Sequence, residues 1–156
     1  MKENCRIAIE ACEIYYDKCT KGSWEIVDTG KPSRHPVLVA ASVGSCGAYL
    51  ADGSEYSGNC GDAVTLEALK DFHRERVQIL ANSVAHLIAY ETTPNKLEAK
   101  AYAELLEEEA LDIPAWFTFA SKVGISVVSG DSIFECASIA NVWKQVVVVG
   151  IYCTLP

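Results

Sequence analysis

Four short apolar runs constrain this chain more than any other feature: "PVLVAAS" (36–42), "AHLIAYE" (85–91), "IPAWFTFAS" (113–121) and "QVVVVGIYC" (145–153). None alternates polar with apolar residues, so each reads as a strand buried on both faces, as in a parallel sheet. Helix-period segments precede and separate them. From Glu3 to Lys21, Ile7, Ala11, Ile14 and Tyr15 fall on one predicted apolar face. "TLEALKDFHRERVQILANS" reads as a second helix, and Asn95 with Glu98, then Ser132 with Glu135, stand at capping-box spacing before two more. The resulting order is α, β, long loop, α, β, α, β, α, β. Parallel neighbours in that order need crossover helices, which places the chain in the α/β class. The loop "VGSCGAYLADGSEYSGNCGD" is too rich in Gly and Ser to be regular, and long enough to expect a functional role.

A chain of 156 residues, half of them hydrophobic, is sized for one domain with a real core. Its net charge of −8 repels a nucleic-acid backbone or an anionic membrane. No apolar run approaches the roughly 20 residues of a membrane span, and the charged N-terminal stretch has no signal-peptide core, so a cytoplasmic protein is expected. Seven cysteines, an odd number, argue for reduced thiols over a disulfide framework. Cys5, Cys12 and Cys19 recur every seven residues, which reads as helix packing, since a thiol behaves as a small hydrophobe.

An open doubly wound sheet and part of a (β/α)8 barrel both fit this element order. The Gly-rich loop does not open into a helix as a dinucleotide fingerprint does. Polar groups favour the barrel: Ser42, Glu91, Ser121 and Cys153 fall at or near the C-terminal ends of apolar runs, where barrels carry their sites. Glu91 can bind a cationic amine there, or interact with the positive end of the following helix. Cys153 is either a thiolate ligand or nucleophile, or an inert core thiol. His35 and His86 flank strand starts, away from such a site, and His73 in "DFHRER" reads as part of a solvated helix face. A small self-contained enzyme built on Glu91 and a cysteine nucleophile would lack a histidine base on that face.

The stretches "SVGSCGAYLADGSEYSGNCGD", "LKDFHRERVQIL", "LIAYETTPNKLEAKAYAELLEEE", "IPAWFTF" and "VVGIYCT" resemble the plant homocysteine S-methyltransferases, over nearly the whole chain. The resemblance implies a (β/α)8 barrel in which residues 1–156 form one partial homocysteine-binding domain. That segment would hold strands three to six with their helices, without the first two and last two strands. It implies methyl transfer from S-methylmethionine or S-adenosylmethionine to zinc-bound homocysteine, giving methionine. It assigns Glu91 to the homocysteine amino group and Cys153 to the metal as the first of three cysteine ligands, the other two lying beyond the strands present. Zinc holds a thiol as thiolate, which removes the proton cost of attack on a sulfonium methyl.

The sequence departs from the family pattern at Cys46 and Cys60, where tyrosine is usual, and at Tyr152, where asparagine usually precedes the zinc cysteine. A local zinc site of Cys46, Cys60 and Cys153 is an alternative. A different reading is a non-catalytic half-barrel that self-associates, or binds a full-length relative, through the exposed edges of an opened sheet.

Overall fold

The computed structural model describes residues 1–21, 37–59, 61, 64–121 and 123–152, with the side chains of 19–21 outside the description. His35, Cys60 and Cys153 therefore lie outside the described residues. Among the described residues ten elements follow in order. They are α1 (Lys2–Lys21), β1 (Ala40–Gly44), α2 (Cys46–Leu50), α3 (Ser54–Ser57), α4 (Leu66–Ala81), β2 (Leu87–Thr93), α5 (Lys96–Glu108), β3 (Ala115–Ala120), α6 (Ile133–Asn141) and β4 (Val146–Tyr152).

The strands form one sheet in the order β1-β2-β3-β4, every pair parallel. Sequential parallel strands joined by helices are a (β/α)8-type segment with half the strand count of a closed barrel. β1 begins at Ala40, four residues later than the apolar run suggests, and extends to Gly44. Val37 and Leu38 are exposed while Val39 is buried, so the side chains of Val37 and Leu38 belong to the approach and not to the sheet.

Register sorts the side chains. Ala41 and Val43 pair with Ile88 and Tyr90, which pair in turn with Ala115 and Phe117, so these share one face. They pack with Val77 and Leu80 of α4, Tyr102, Leu105 and Leu106 of α5, and Cys136 and Ala140 of α6. Tyr90, Tyr102, Phe117 and Phe119 have no exposed surface and meet in tilted or edge-on ring contacts 4.3 to 6.4 Å between centroids. Such contacts add to the burial of the rings themselves. Ser42, Ala89, Glu91, Trp116, Thr118, Val148 and Gly150 lie on the opposite face.

Two readings of the helices change. α1 does not bury the predicted apolar face, because Ile7, Ile14 and Tyr15 are exposed. It buries Cys5 and half-buries Ala8, Ile9, Cys12 and Tyr16 instead, so the cysteine stripe is packing at its two described members. The Gly-rich loop is not wholly irregular, since it holds α2 and α3. A Cβ on Gly47 would sit 2.5 Å from the Glu55 amide nitrogen, so only glycine lets the two short helices touch. Gly58, at φ +74°, ends α3 against Ser129 with equally little room. This segment is thereby tied to the loop after β3. No helix among the described residues is long and apolar enough to cross a membrane.

Candidate functional site

The C-terminal end of β2 is where the sheet departs from regularity. Its pairing with β3 shifts between Tyr90 and Thr93, and Thr92 takes φ +60°, a left-handed conformation that a β-branched residue rarely adopts. The Thr92 amide donates to Thr118 Oγ1 at 3.3 Å. Bulges of this kind re-aim the adjoining side chain and accumulate beside functional sites. The adjoining side chain is Glu91, which pairs with Gly44 on the face away from the helices. Glu91 is half-buried and has no hydrogen-bond donor or cation as a partner among the described residues. A carboxylate partly withdrawn from water with no cation beside it is suited to receive one.

The following helix does not depend on Glu91 for its first turn. Asn95 Oδ1 accepts from the Glu98 amide at 2.8 Å, and Asp131 Oδ2 accepts from the Lys96 amide at 2.9 Å. The helix-terminus role left open for Glu91 is thus filled by other residues. The capping box itself is only half made, because the Glu98 side chain turns inward. Ser132 caps α6 by position, without a side-chain hydrogen bond.

The remaining predicted positions separate. Ser42 is exposed in the middle of β1. Ser121 is buried, its hydroxyl donating to the Ser126 carbonyl at 2.7 Å and accepting from the Gly124 amide, so it stabilises a turn. His86 accepts from the Val39 amide through Nδ1 at 2.9 Å, a structural contact at the start of the sheet. Cys153 follows the last described residue of β4, so its surroundings are not part of the description.

The reading of His73 as solvated is corrected. His73 has no exposed surface, and its Nε2 lies 2.8 Å from Glu98 Oε1. The same oxygen accepts from the Cys46 amide at 2.6 Å and from the Tyr102 hydroxyl at 3.1 Å. Burial, and after it the charge of Glu98, hold the Tyr102 phenol well above its ordinary range, which keeps the O–H a donor. A signal for His73 was available in the sequence: it stands four residues from both Leu69 and Val77, in the buried row of α4. Glu98 likewise stands four residues before the buried Tyr102.

Among the described residues, no three His, Cys, Asp or Glu side chains converge in a way that could hold a metal ion. An open groove of 480 Å³ is lined by Gly58, Leu69, Asn95, Leu97, Lys100 and Ser129 among others, and Glu91 is not part of its lining.

The family model described as homocysteine S-methyltransferase matches residues 1–156. Homocysteine S-methyltransferase 3 of Arabidopsis thaliana is 65% identical over 100% of this chain and 45% of its own length. The selenocysteine Se-methyltransferase of Brassica oleracea var. italica is 58% identical over 100% of this chain and 44% of its own. The crystal structure of the homocysteine methyltransferase MmuM from Escherichia coli, in its metallated form, superposes with a TM-score of 0.80 at 35% identity. It covers 96% of this chain and 47% of that protein. The chain therefore spans less than half the length of these relatives. With a family match along its whole length, and the same fold in a solved relative, this chain belongs to the homocysteine S-methyltransferase family.

Proposed function

We propose that this chain is the central part of a methyltransferase that moves a methyl group from a sulfonium donor, S-methylmethionine or S-adenosylmethionine, to homocysteine, giving methionine. Its four strands correspond, on this reading, to the third to sixth of the barrel. Glu91 receives the α-ammonium group of the acceptor. The observation that carries this role is a half-buried carboxylate with no partner among the described residues, set on a strained bulge at the C-terminal end of a parallel strand. A charge-assisted hydrogen bond to an ammonium contributes about 1.5 to 3 kcal/mol.

Zinc belongs to the same reading through Cys153, which would supply one thiolate. The described residues do not make a metal site by themselves, and the role assigned to Glu91 does not depend on one. A zinc ion, when bound, supplies an acceptor sulfur already free of its proton. A selenocysteine acceptor, as in the name of the Brassica relative, would present the same α-ammonium group to Glu91. The exposed Val148, Ile151 and Tyr152 of β4 also offer an apolar surface on which a second copy of the chain could associate.

The test is isothermal calorimetry with homocysteine, on the wild type and Glu91→Gln. The amide keeps the shape and loses the charge, so affinity should fall about 10- to 150-fold with the fold unchanged. Equal affinities would return Glu91 to a structural role. Repeating the titration with des-amino homocysteine should show little difference between the two proteins, which ties the effect to the ammonium group.

A further inference from the structure

The strongest unassigned feature is the buried cluster of Glu98, His73 and Tyr102, because Glu98 and Tyr102 reach the segment that leaves β1 and His73 bonds to Glu98. We propose that Glu98 is a positioning residue that latches Gly44–Cys46 into place beside Glu91, an inference that rests on the reading of Glu91 as the substrate carboxylate.

The geometry is specific. Glu98 Oε1 accepts the Cys46 amide at 2.6 Å across 52 residues of sequence. The Tyr102 hydroxyl donates to that oxygen at 3.1 Å, and the Gly44 carbonyl is a second acceptor 3.4 Å away. Gly44 is the register partner of Glu91. Two side chains of α5 thus hold the backbone on either side of Ser45, at the point where β1 lies against the candidate carboxylate. Since Oε1 already accepts from a backbone N–H, His73 Nε2 serves as the third donor, at 2.8 Å. Farther along the segment, Tyr49 packs edge-on against Phe72, 5.3 Å between centroids, and the Arg76 guanidinium lies over both rings. The segment after β1 is therefore fastened at both ends to α4 and α5.

A carboxylate with no exposed surface is costly unless its hydrogen bonds are made. Here all three bonds fall on one oxygen, while Glu98 Oε2 and His73 Nδ1 have no partner among the described residues. The latch therefore requires an acceptor at Oε1, and little at Oε2. This separates the two informative variants. Glu98→Gln keeps a carbonyl oxygen for the three donors and places its NH2 where nothing is bonded. Glu98→Leu keeps the bulk and removes the acceptor.

Amide hydrogen exchange on the purified chain reads the latch directly. In Glu98→Leu the Cys46 amide should exchange about 10- to 100-fold faster than in wild type, with Ile88 and Phe117 protected as before. Glu98→Gln should restore protection to within about threefold, as expected where geometry matters more than charge. Wild-type protection of Cys46 in Glu98→Leu would overturn the proposal, as would equal loss in Glu98→Gln and Glu98→Leu. If Glu98→Leu does not fold, Tyr102→Phe decides: faster exchange at Cys46 with Ile88 unchanged supports the latch, and no change at Cys46 overturns it. Glu91→Gln should leave Cys46 exchange unaltered, so the latch and the substrate reading fail independently.

Discussion

β2 and β4 are both apolar, seven-residue parallel strands, yet they occupy different environments. Leu87 to Tyr90 of β2 are all buried, whereas Val147, Val148, Ile151 and Tyr152 of β4 are exposed. β2 lies between β1 and β3 beneath α4 and α5, while β4, among the described residues, pairs with β3 alone and is partly covered by α6. The free energy of a valine or tyrosine in a strand is thus set by what covers it. The same composition contributes a core in one strand and an exposed apolar edge in the other.

The largest expected effect tests the covered side. Phe117→Ala removes a fully buried ring that touches Tyr90, Tyr102 and Phe119, and should cost about 3 to 5 kcal/mol in urea denaturation. A loss below about 1 kcal/mol would show that this side packs loosely, and the contrast with β4 would fail.

Next comes a chemical probe of the cover over β3 and β4. Cys136 of α6 has no exposed surface, and burial first, then the negative charge of Asp131, pushes its thiol up to about 11. At pH 8 only about one such thiol in a thousand is ionised. Iodoacetamide should therefore modify the half-buried Cys12 well before Cys136, followed by peptide mass spectrometry. Simultaneous modification would mean that α6 opens from the sheet readily.

A smaller effect concerns the ion-pair layer outside β2, where α4 meets α5. Lys70 reaches Glu67, Glu104 and Glu108, and Arg74 pairs with Glu108 and Glu109. Hydrogen bonds from Lys70 and then Arg74 hold Glu108 below its ordinary value of 4.5; Gln78 and then Arg74 do the same for Glu109. A carboxylate depressed in the folded state contributes stability above the unfolded value, and loses it as pH falls through the folded one. The urea midpoint should accordingly fall as pH drops below about 4.5, more steeply in wild type than in Lys70→Met. Parallel profiles would remove this layer from the account of why β2 is so well covered.

The smallest effect is expected on the open side. Val148→Thr should change stability by no more than about 0.5 kcal/mol. It should also reduce any concentration-dependent association seen by size-exclusion chromatography, as the proposed association through the exposed apolar residues of β4 requires. A cost above about 1.5 kcal/mol would show that Val148 is covered in solution, which would erase the difference between the strands.

What could be read from the chain divides along the range of the interactions. The parallel α/β class, the four strands and the Asn95 cap depend on neighbours a few residues apart, and the residues carry those signals themselves. Glu91 was legible as a strand-end carboxylate, but its bulge arises from the register with β3 and the left-handed Thr92, which no local pattern announces. The face that α1 buries was misread because the more hydrophobic stripe is exposed, and Cys5 is the residue of α1 that joins the core. His73 and Glu98 show the same limit in its sharpest form. Their helical phase placed them among buried residues, but a polar side chain is stable there only when its hydrogen-bond partners come with it. Those partners lie on α2, α4 and α5. By itself, then, the sequence determined the four strands, the four longer helices and the family, because helix caps, hydrophobic runs and motif strings are short-range properties. Tertiary structure alone decided that a carboxylate of α5 would be buried and hold the amide of Cys46, because only the folded sheet brings those two groups within hydrogen-bonding distance.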